Sequence, residues 1–358
     1  KATIDFAYTS FKWGNSAANN AGVTVAIVGL ANEDNSKSDK YIFDENLARL
    51  TVNNINAYLA SGENIIVEKK RQPLNGLPKM VFGNMPRDGG HLIIDTLEEK
   101  RSLCANYSEL QNYIRTYIGS EEFINGKSRY VFWLDKTDYC AVEHLPEIKK
   151  RVEAVKVMRL ASKKADTQRA AEYPYAFVER NRYDEAYATF KASGEDEFLQ
   201  ILVPGTSSEN RDYVPMGFVG EDTIISNSAY VIYNAPIWLL GLLESRMHMV
   251  WLRAVGGRLE TRYRYSAGLV YNTFPVPELS TRRKNMIEEQ VFEILDLREE
   301  LGGTLAELYH KDTMPDSLRE AHKKLDEIVE RAYKDTTFNS DEERLSHLLK
   351  RYKEMTHE

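Results

Sequence analysis

The chain has 358 residues, of which 42% are hydrophobic and 28% charged, with a mean hydropathy of -0.48 and a net charge of -7. This length accommodates two or three domains with cores of their own. No apolar run approaches the ~18 residues that a membrane-spanning helix needs, so no membrane partner is expected. Cys104 and Cys140 are the only cysteines. Without a CxxC spacing or a histidine at ligand distance, they exclude a disulfide scaffold and a structural zinc site, and they fit a reducing, cytoplasmic setting. The start carries no signal-peptide pattern. It opens in a strand-like run without a methionine, as an excerpt of a longer polypeptide would.

In chain order, residues 4–8 alternate apolar and polar side chains, and 23–28 are almost wholly apolar, the pattern of a strand buried on both faces. Residues 15–22 between them are small and polar, a loop. A polar loop at 32–40 and a weak helical pattern at 46–59 follow, and a first domain is expected to end near residue 65. Residues 66–275 mix the two periodicities. Strands are expected at 91–95, 129–134, 198–203, 223–226 and 230–233. A helix at 146–161 places Ile148, Val152, Val155 and Met158 on one stripe. Another at 236–255 begins at Pro236 and stops before Gly256. Residues 276–358 read as three amphipathic helices with capping boxes at Ser317-x-x-Glu320 and Ser340-x-x-Glu343, a small bundle. The fold class expected is α+β, a mixed module followed by a helical bundle.

The charge is unevenly placed. Residues 284–358 hold 12 basic and 19 acidic side chains, and the other 283 residues balance at 35 of each. Residues 149–191 carry 11 basic against 6 acidic side chains, and five arginines fall between 244 and 272. A chain acidic in total therefore has local basic surfaces, which is what phosphate binding requires.

The densest polar motif is Gly257-Arg-Leu-Glu-Thr-Arg-Tyr-Arg-Tyr-Ser266. In an extended segment, Glu260 and Arg262 share one face. A carboxylate can accept from cytosine N4 while a guanidinium donates to guanine O6 and N7, so such a pair can address one C·G base pair. Arg258 and Arg264 flank it with phosphate-binding groups and Tyr265 with a stacking ring. A surface ion pair on a strand edge is the competing explanation.

Several strings occur in a fixed order: Phe11-Lys-Trp-Gly-Asn15, Gly22-Val-Thr-Val-Ala-Ile-Val-Gly29, Met80-Val-Phe-Gly-Asn-Met-Pro-Arg-Asp-Gly-Gly90, Ser245-Arg-Met-His248, Gly257-Arg-Leu259, Tyr263-Arg-Tyr-Ser266 and Tyr271-Asn-Thr-Phe-Pro275. Together they resemble the C-terminal part of the single-chain type IIL (type IIG-like) restriction–modification enzymes, the MmeI family. The resemblance implies the end of an adenine-N6 DNA methyltransferase domain at 1–65, a DNA target-recognition domain at 66–275 and a helical bundle at 276–358. It implies double-stranded DNA as partner, with methyltransferase and endonuclease domains upstream in the same chain. S-adenosylmethionine, and Mg2+ for cleavage, would serve those domains. This chain has neither the glycine-rich cofactor turn nor the Asn/Asp-Pro-Pro-aromatic loop, so no catalytic residue, metal site or cofactor is expected in it.

By family position, Phe11 and Trp13 lie near the pocket of an extruded base, which an aromatic ring can stack upon; packing under the sheet is the alternative. Asn227 and Ser228 match residues that read inner bases, and an Asx turn would explain them equally well. Arg211, Ser207 and Ser208 suit backbone phosphates. The loop at 205–211 does not match GxSxG, and no His/Asp pair is placed to activate either serine. The family often places a base-reading polar side chain after the Val-Pro pair; here that place is Gly205, which puts direct readout there in doubt. On the helix at 236–255, Arg246 and Arg253 could reach phosphates or form internal salt bridges, and His248 reads as packed or capped. A protein-interaction scaffold with arginine clusters for acidic partners is the alternative function.

Overall fold

A computed structural model describes residues 2–13, 24–35, 38–44 and 47–356. The loop expected at 15–22 lies outside the described residues, as do parts of the segments around 36 and 46. The strands expected around 4–8 and 23–28 form as Ala2–Lys12 and Thr24–Asn32, and they pair antiparallel. Lys40–Phe43 adds parallel to the first, and Arg49–Val52 closes the sheet. Two expectations fail here. Over its described residues, 47–59, the segment expected as helix at 46–59 is strand and turn instead, because Arg49–Val52 completes the sheet edge and Asn56 Oδ1 caps the turn by accepting from Tyr58 N and Ala60 N. The strand 24–32 is not covered on both faces either, since Ile27, Val28 and Leu30 are exposed.

The five strands expected in the mixed module all form, within two four-stranded sheets. Gln200–Pro204 and Ala229–Tyr233 lie at the centre of one, flanked by Gly217–Val219 and Met80–Phe82. Arg129–Phe132 pairs with Ile93–Ile94 and Ile114–Ile118 in the other, and Thr223–Ile225 joins it parallel to the latter. The helix Pro146–Leu160 packs Ile148, Val152 and Val155 inward as its stripe requires.

The helix expected at 236–255 is two helices, Ile237–Leu243 and Arg246–Val255. Ser245 ends one and starts the next: its hydroxyl donates to Leu242 O at 2.7 Å and accepts from His248 N. The break turns Glu244 inward, where it accepts from Met216 N at 2.8 Å and from Arg298. Gly241 allows the close crossing with Thr281–Leu301; a Cβ there would lie 2.4 Å from Ile287 Cγ2.

Thr281–Leu301, Asp316–Tyr333 and Asp341–Thr356 are the three expected helices, joined by a single turn at Leu305–Leu308. The capping box at Ser317 does not form, because the helix starts two residues earlier than that cap would set it, at Asp316 behind Pro315, whose fixed φ suits the entry. At Ser340 the hydroxyl does accept from Glu343 N, but Glu343 returns its bond to Asn339 N. One continuous core runs from Ile201 and Val203 through Leu239, Leu243 and Trp251 to Ile287, Leu325 and Leu348. Each such side chain contributes about 1.5–3 kcal/mol by burial, so the helices and the mixed module fold as one body.

Candidate nucleic-acid interface

The motif at 257–264 is a hairpin. Gly257–Leu259 pairs antiparallel with Arg262–Arg264, and Leu259 faces Arg262 across a two-residue turn made by Glu260 and Thr261. Glu260 has φ +58°, the conformation a type II′ turn normally gives to glycine. The expected geometry is thus corrected: Glu260 is a turn residue, and the shared strand face belongs to Arg262 and Arg264, exposed on either side of buried Tyr263. Glu260 and Arg262 still meet, Arg262 Nη2 donating to Glu260 Oε2 at 3.0 Å, both side chains open to solvent. Arg258 lies 4.0 Å over the Tyr263 ring and donates to Thr261 O at 3.1 Å, so this arginine stiffens the turn. Tyr265 is not a stacking surface: it is buried, with its hydroxyl 2.9 Å from His248 Nε2.

The third strand of this small sheet is Thr206–Ser207, which pairs with Arg264 and Tyr263. Ser207 is only 4% exposed, and its hydroxyl has no partner among the described residues; burial takes it off the surface. Ser208 is partly exposed and its hydroxyl accepts from Asn210 N. Arg211 is half-buried with no acceptor beside it among the described residues, and that burial depresses its pKa.

Gly205 joins three elements. Its N–H donates to Ser120 Oγ at 3.0 Å and its carbonyl accepts from Tyr265 N at 3.0 Å. A Cβ at this position would lie 2.7 Å from the Ser228 carbonyl oxygen. The turn at 226–228 therefore stands against the loop, and Ser120 Oγ also donates to Ser228 O at 2.6 Å. Asn227 is exposed at the turn, its N–H donating to Asn84 O. Ser228 Oγ is engaged by Ser120 N and by Ser226 Oγ. Hairpin, loop and turn thus converge, with Asn227, Glu260, Arg262, Arg258 and Arg264 exposed on them.

Other expected groups lie elsewhere. Trp13 is 47% exposed at the end of its strand beside half-buried Phe11, ring centroids 6.5 Å apart. Arg246 and Arg253 take the internal option, both pairing with Asp341. His248 is packed, and burial lowers its pKa to about 3. Arg159 was not singled out by the sequence pattern. It is wholly buried and donates to the carbonyls of Pro86, Arg87, Ala170, Tyr173 and Ala176 at 2.7–2.9 Å, locking the 80–90 motif in place. Among the described residues, no group of three or more His, Cys, Asp or Glu could hold a metal, and no helix is long and apolar enough to cross a membrane.

A mixed sheet module that presents a polar hairpin, loop and turn on a helical support is the architecture of a target recognition domain. The chain belongs to the MmeI family: it matches the MmeI target recognition domain over residues 61–278, the C-terminal domain over 279–358 and the DNA-methyltransferase domain over 1–44. It is 53% identical over 353 residues to "DNA methyltransferase A" of Bacillus subtilis (strain 168), covering 99% of this chain and 38% of that protein. It superposes with a TM-score of 0.83 and 37% identity on the type IIL restriction–modification enzyme MmeI solved in complex with DNA, covering 100% of this chain and 46% of that one. The chain thus spans less than half the length of either relative.

Proposed function

We propose that this chain is the sequence-reading region of a restriction–modification enzyme, an adenine-N6 DNA methyltransferase with endonuclease activity, and that it binds double-stranded DNA. The observation that carries this reading is the Glu260–Arg262 pair at an exposed hairpin tip. Opposite charges held at 3.0 Å in solvent stabilise little, ~0–1 kcal/mol. Yet the turn holds Glu260 in a left-handed conformation that costs about 1–3 kcal/mol. A merely stabilising turn would carry glycine. On DNA each group exchanges its partner for a base edge, the carboxylate taking cytosine N4 and the guanidinium taking guanine O6 and N7.

Asn227 offers a bidentate contact to adenine N6 and N7 from the neighbouring turn. Ser228 takes part in inner-base readout by holding that turn. Arg211, Ser208, Arg258 and Arg264 supply phosphate contacts, and Phe11 with Trp13 forms a stacking surface for an extruded base. The bundle lysines Lys323, Lys324 and Lys334 are paired with Glu320, Glu293 and Glu343, which supports a bracing role for the helices.

The residues of this chain do not compose a pocket for S-adenosylmethionine, since neither nucleotide-cofactor turn nor adenine loop occurs in them. Methyl transfer and Mg2+-dependent cleavage are assigned to methyltransferase and endonuclease domains of the same polypeptide, acting in the cytoplasm. Selection of duplexes from a randomised pool at two salt concentrations tests the reading. One enriched sequence, with affinity falling steeply as salt rises, is expected. Binding without sequence preference would instead favour a scaffold for acidic partners.

A further inference from the structure

We infer that Glu209 and Thr261 form a positioning device that sets the attitude of the hairpin tip, and so the discrimination at the base pair read there. The inference rests on the reading above. Thr261 Oγ1 donates to Glu209 Oε1 at 2.7 Å, from the centre of the two-residue turn to the loop at 205–211. The carbonyl of Thr261 is held from the other side by Arg258 Nη1. Both ends of the residue that follows Glu260 are therefore fixed, and with them the peptide from which the Glu260 side chain departs.

The loop that carries Glu209 is itself anchored. Asn210 O accepts from Lys311 N at 2.9 Å, and Asp212 Oδ2 accepts from Arg319 Nη1 at 2.9 Å. Arg319 in turn donates to Lys311 O at 2.8 Å. Contacts thus run from the helix Asp316–Tyr333 through the loop to the tip. Glu209 and Thr261 touch no base in this scheme. They act on Glu260 and Arg262, whose exposed side chains would otherwise swing with the turn.

Removing the bond without removing the reading pair separates these roles. Thr261→Val keeps the shape and loses the hydroxyl; Glu209→Ala loses the acceptor. Thr261→Ser and Glu209→Gln retain a donor and an acceptor. In duplex selection with the intact protein, the first two variants should lose about tenfold discrimination at one base pair, with other positions and total affinity little changed. The two conservative variants should restore it. Equal weakening at every position, or a Thr261→Ser protein as relaxed as Thr261→Val, would overturn the positioning role. A wild-type protein that selects no sequence would instead overturn the DNA-reading function itself, an outcome distinct from either.

Discussion

Asp341 receives Arg246 through Nε at 2.9 Å and Nη2 at 2.6 Å, and Arg253 Nη1 at 3.3 Å. The acid opens the helix Asp341–Thr356, where the helix N-terminus also favours a negative charge. Both arginines lie on Arg246–Val255, the helix that runs directly into the reading hairpin. Asp341→Asn keeps the shape but leaves three partly buried guanidinium groups, those of Arg246, Arg253 and Arg344, facing an amide. The expected loss is about 1–3 kcal/mol, seen as a lower urea midpoint with an unchanged slope. A variant as stable as wild type would mean that the pair contributes nothing to holding the two helices together.

Asp326 lies beneath the same helix, accepting from Tyr213 Oη at 2.7 Å and Arg246 N at 2.5 Å. Burial outweighs those bonds and raises its pKa to about 7 from an ordinary value of 3.8. The folded state then holds a proton that the unfolded chain releases, so stability declines as pH rises from about 4 to 7 and the cost persists above. His248 works oppositely. With its pKa lowered to about 3, the unfolded chain takes up the proton first, and stability declines as pH drops from about 6.5 towards 3. Comparing Asp326→Asn with wild type isolates the aspartate. The variant should gain stability relative to wild type between pH 5 and pH 8; a constant difference across that range would dismiss the assignment.

The sequence revealed most of this fold where burial imposes a simple period. The strands Gln200–Pro204 and Ala229–Tyr233 are nearly continuous in apolar residues, broken by Gln200, because both faces of the central strands are covered, and each bundle helix turns apolar residues such as Ile287, Leu325 and Leu348 into the core. Long-range polar partnerships were not legible. Nothing local tells Glu244 to leave its helix for Met216 and Arg298, or Arg159 to collect five carbonyls from two distant segments. The candidate site shows the same division. Glu260 and Arg262 stood out by residue type, but their turn did not, because no Asn-Gly or glycine marks it. Glu209 went unnoticed since its partner Thr261 is 52 residues away.

Gly205 is held against Ser228 by the absence of a side chain. Gly205→Ser would force a Cβ to within 2.7 Å of the Ser228 carbonyl unless the turn moves. Overpacking of this kind costs about 1–3 kcal/mol. Because the turn carries Asn227, base preference should change at the position that Asn227 reads and stay fixed at the Glu260–Arg262 pair. Duplex selection together with a melting curve checks both parts. An unaltered profile at unaltered stability would show that the loop absorbs the extra atoms.

Glycine suits the φ of +58° at position 260 better than any side chain. Glu260→Gly should leave the melting temperature unchanged or slightly higher, as relief of strain offsets the greater freedom of the unfolded chain. The same change removes the acceptor for cytosine N4, so discrimination at one base pair should fall. Stability and specificity thus move apart at a single residue. A marked loss of stability would mean that the carboxylate braces the turn rather than reads DNA.

Exchanging the charges gives the sharpest discrimination. Glu260→Lys with Arg262→Asp places a donor where the acceptor stood and an acceptor where the donor stood, and lysine tolerates the turn no worse than glutamate. If the pair reads C·G, the double variant should prefer the reversed base pair, G on the strand where wild type takes C, with every other position retained. Each single variant should bind worse than the double. Glu260→Lys alone sets two cations side by side at the tip, and Arg262→Asp alone sets two carboxylates there. The mismatch at that step is worth ~1–3 kcal/mol, enough to appear as a changed base in a selected pool or in the methylation pattern of the intact enzyme. Retention of C in the double variant, or loss of preference throughout the sequence, would reduce Glu260 and Arg262 to a structural ion pair.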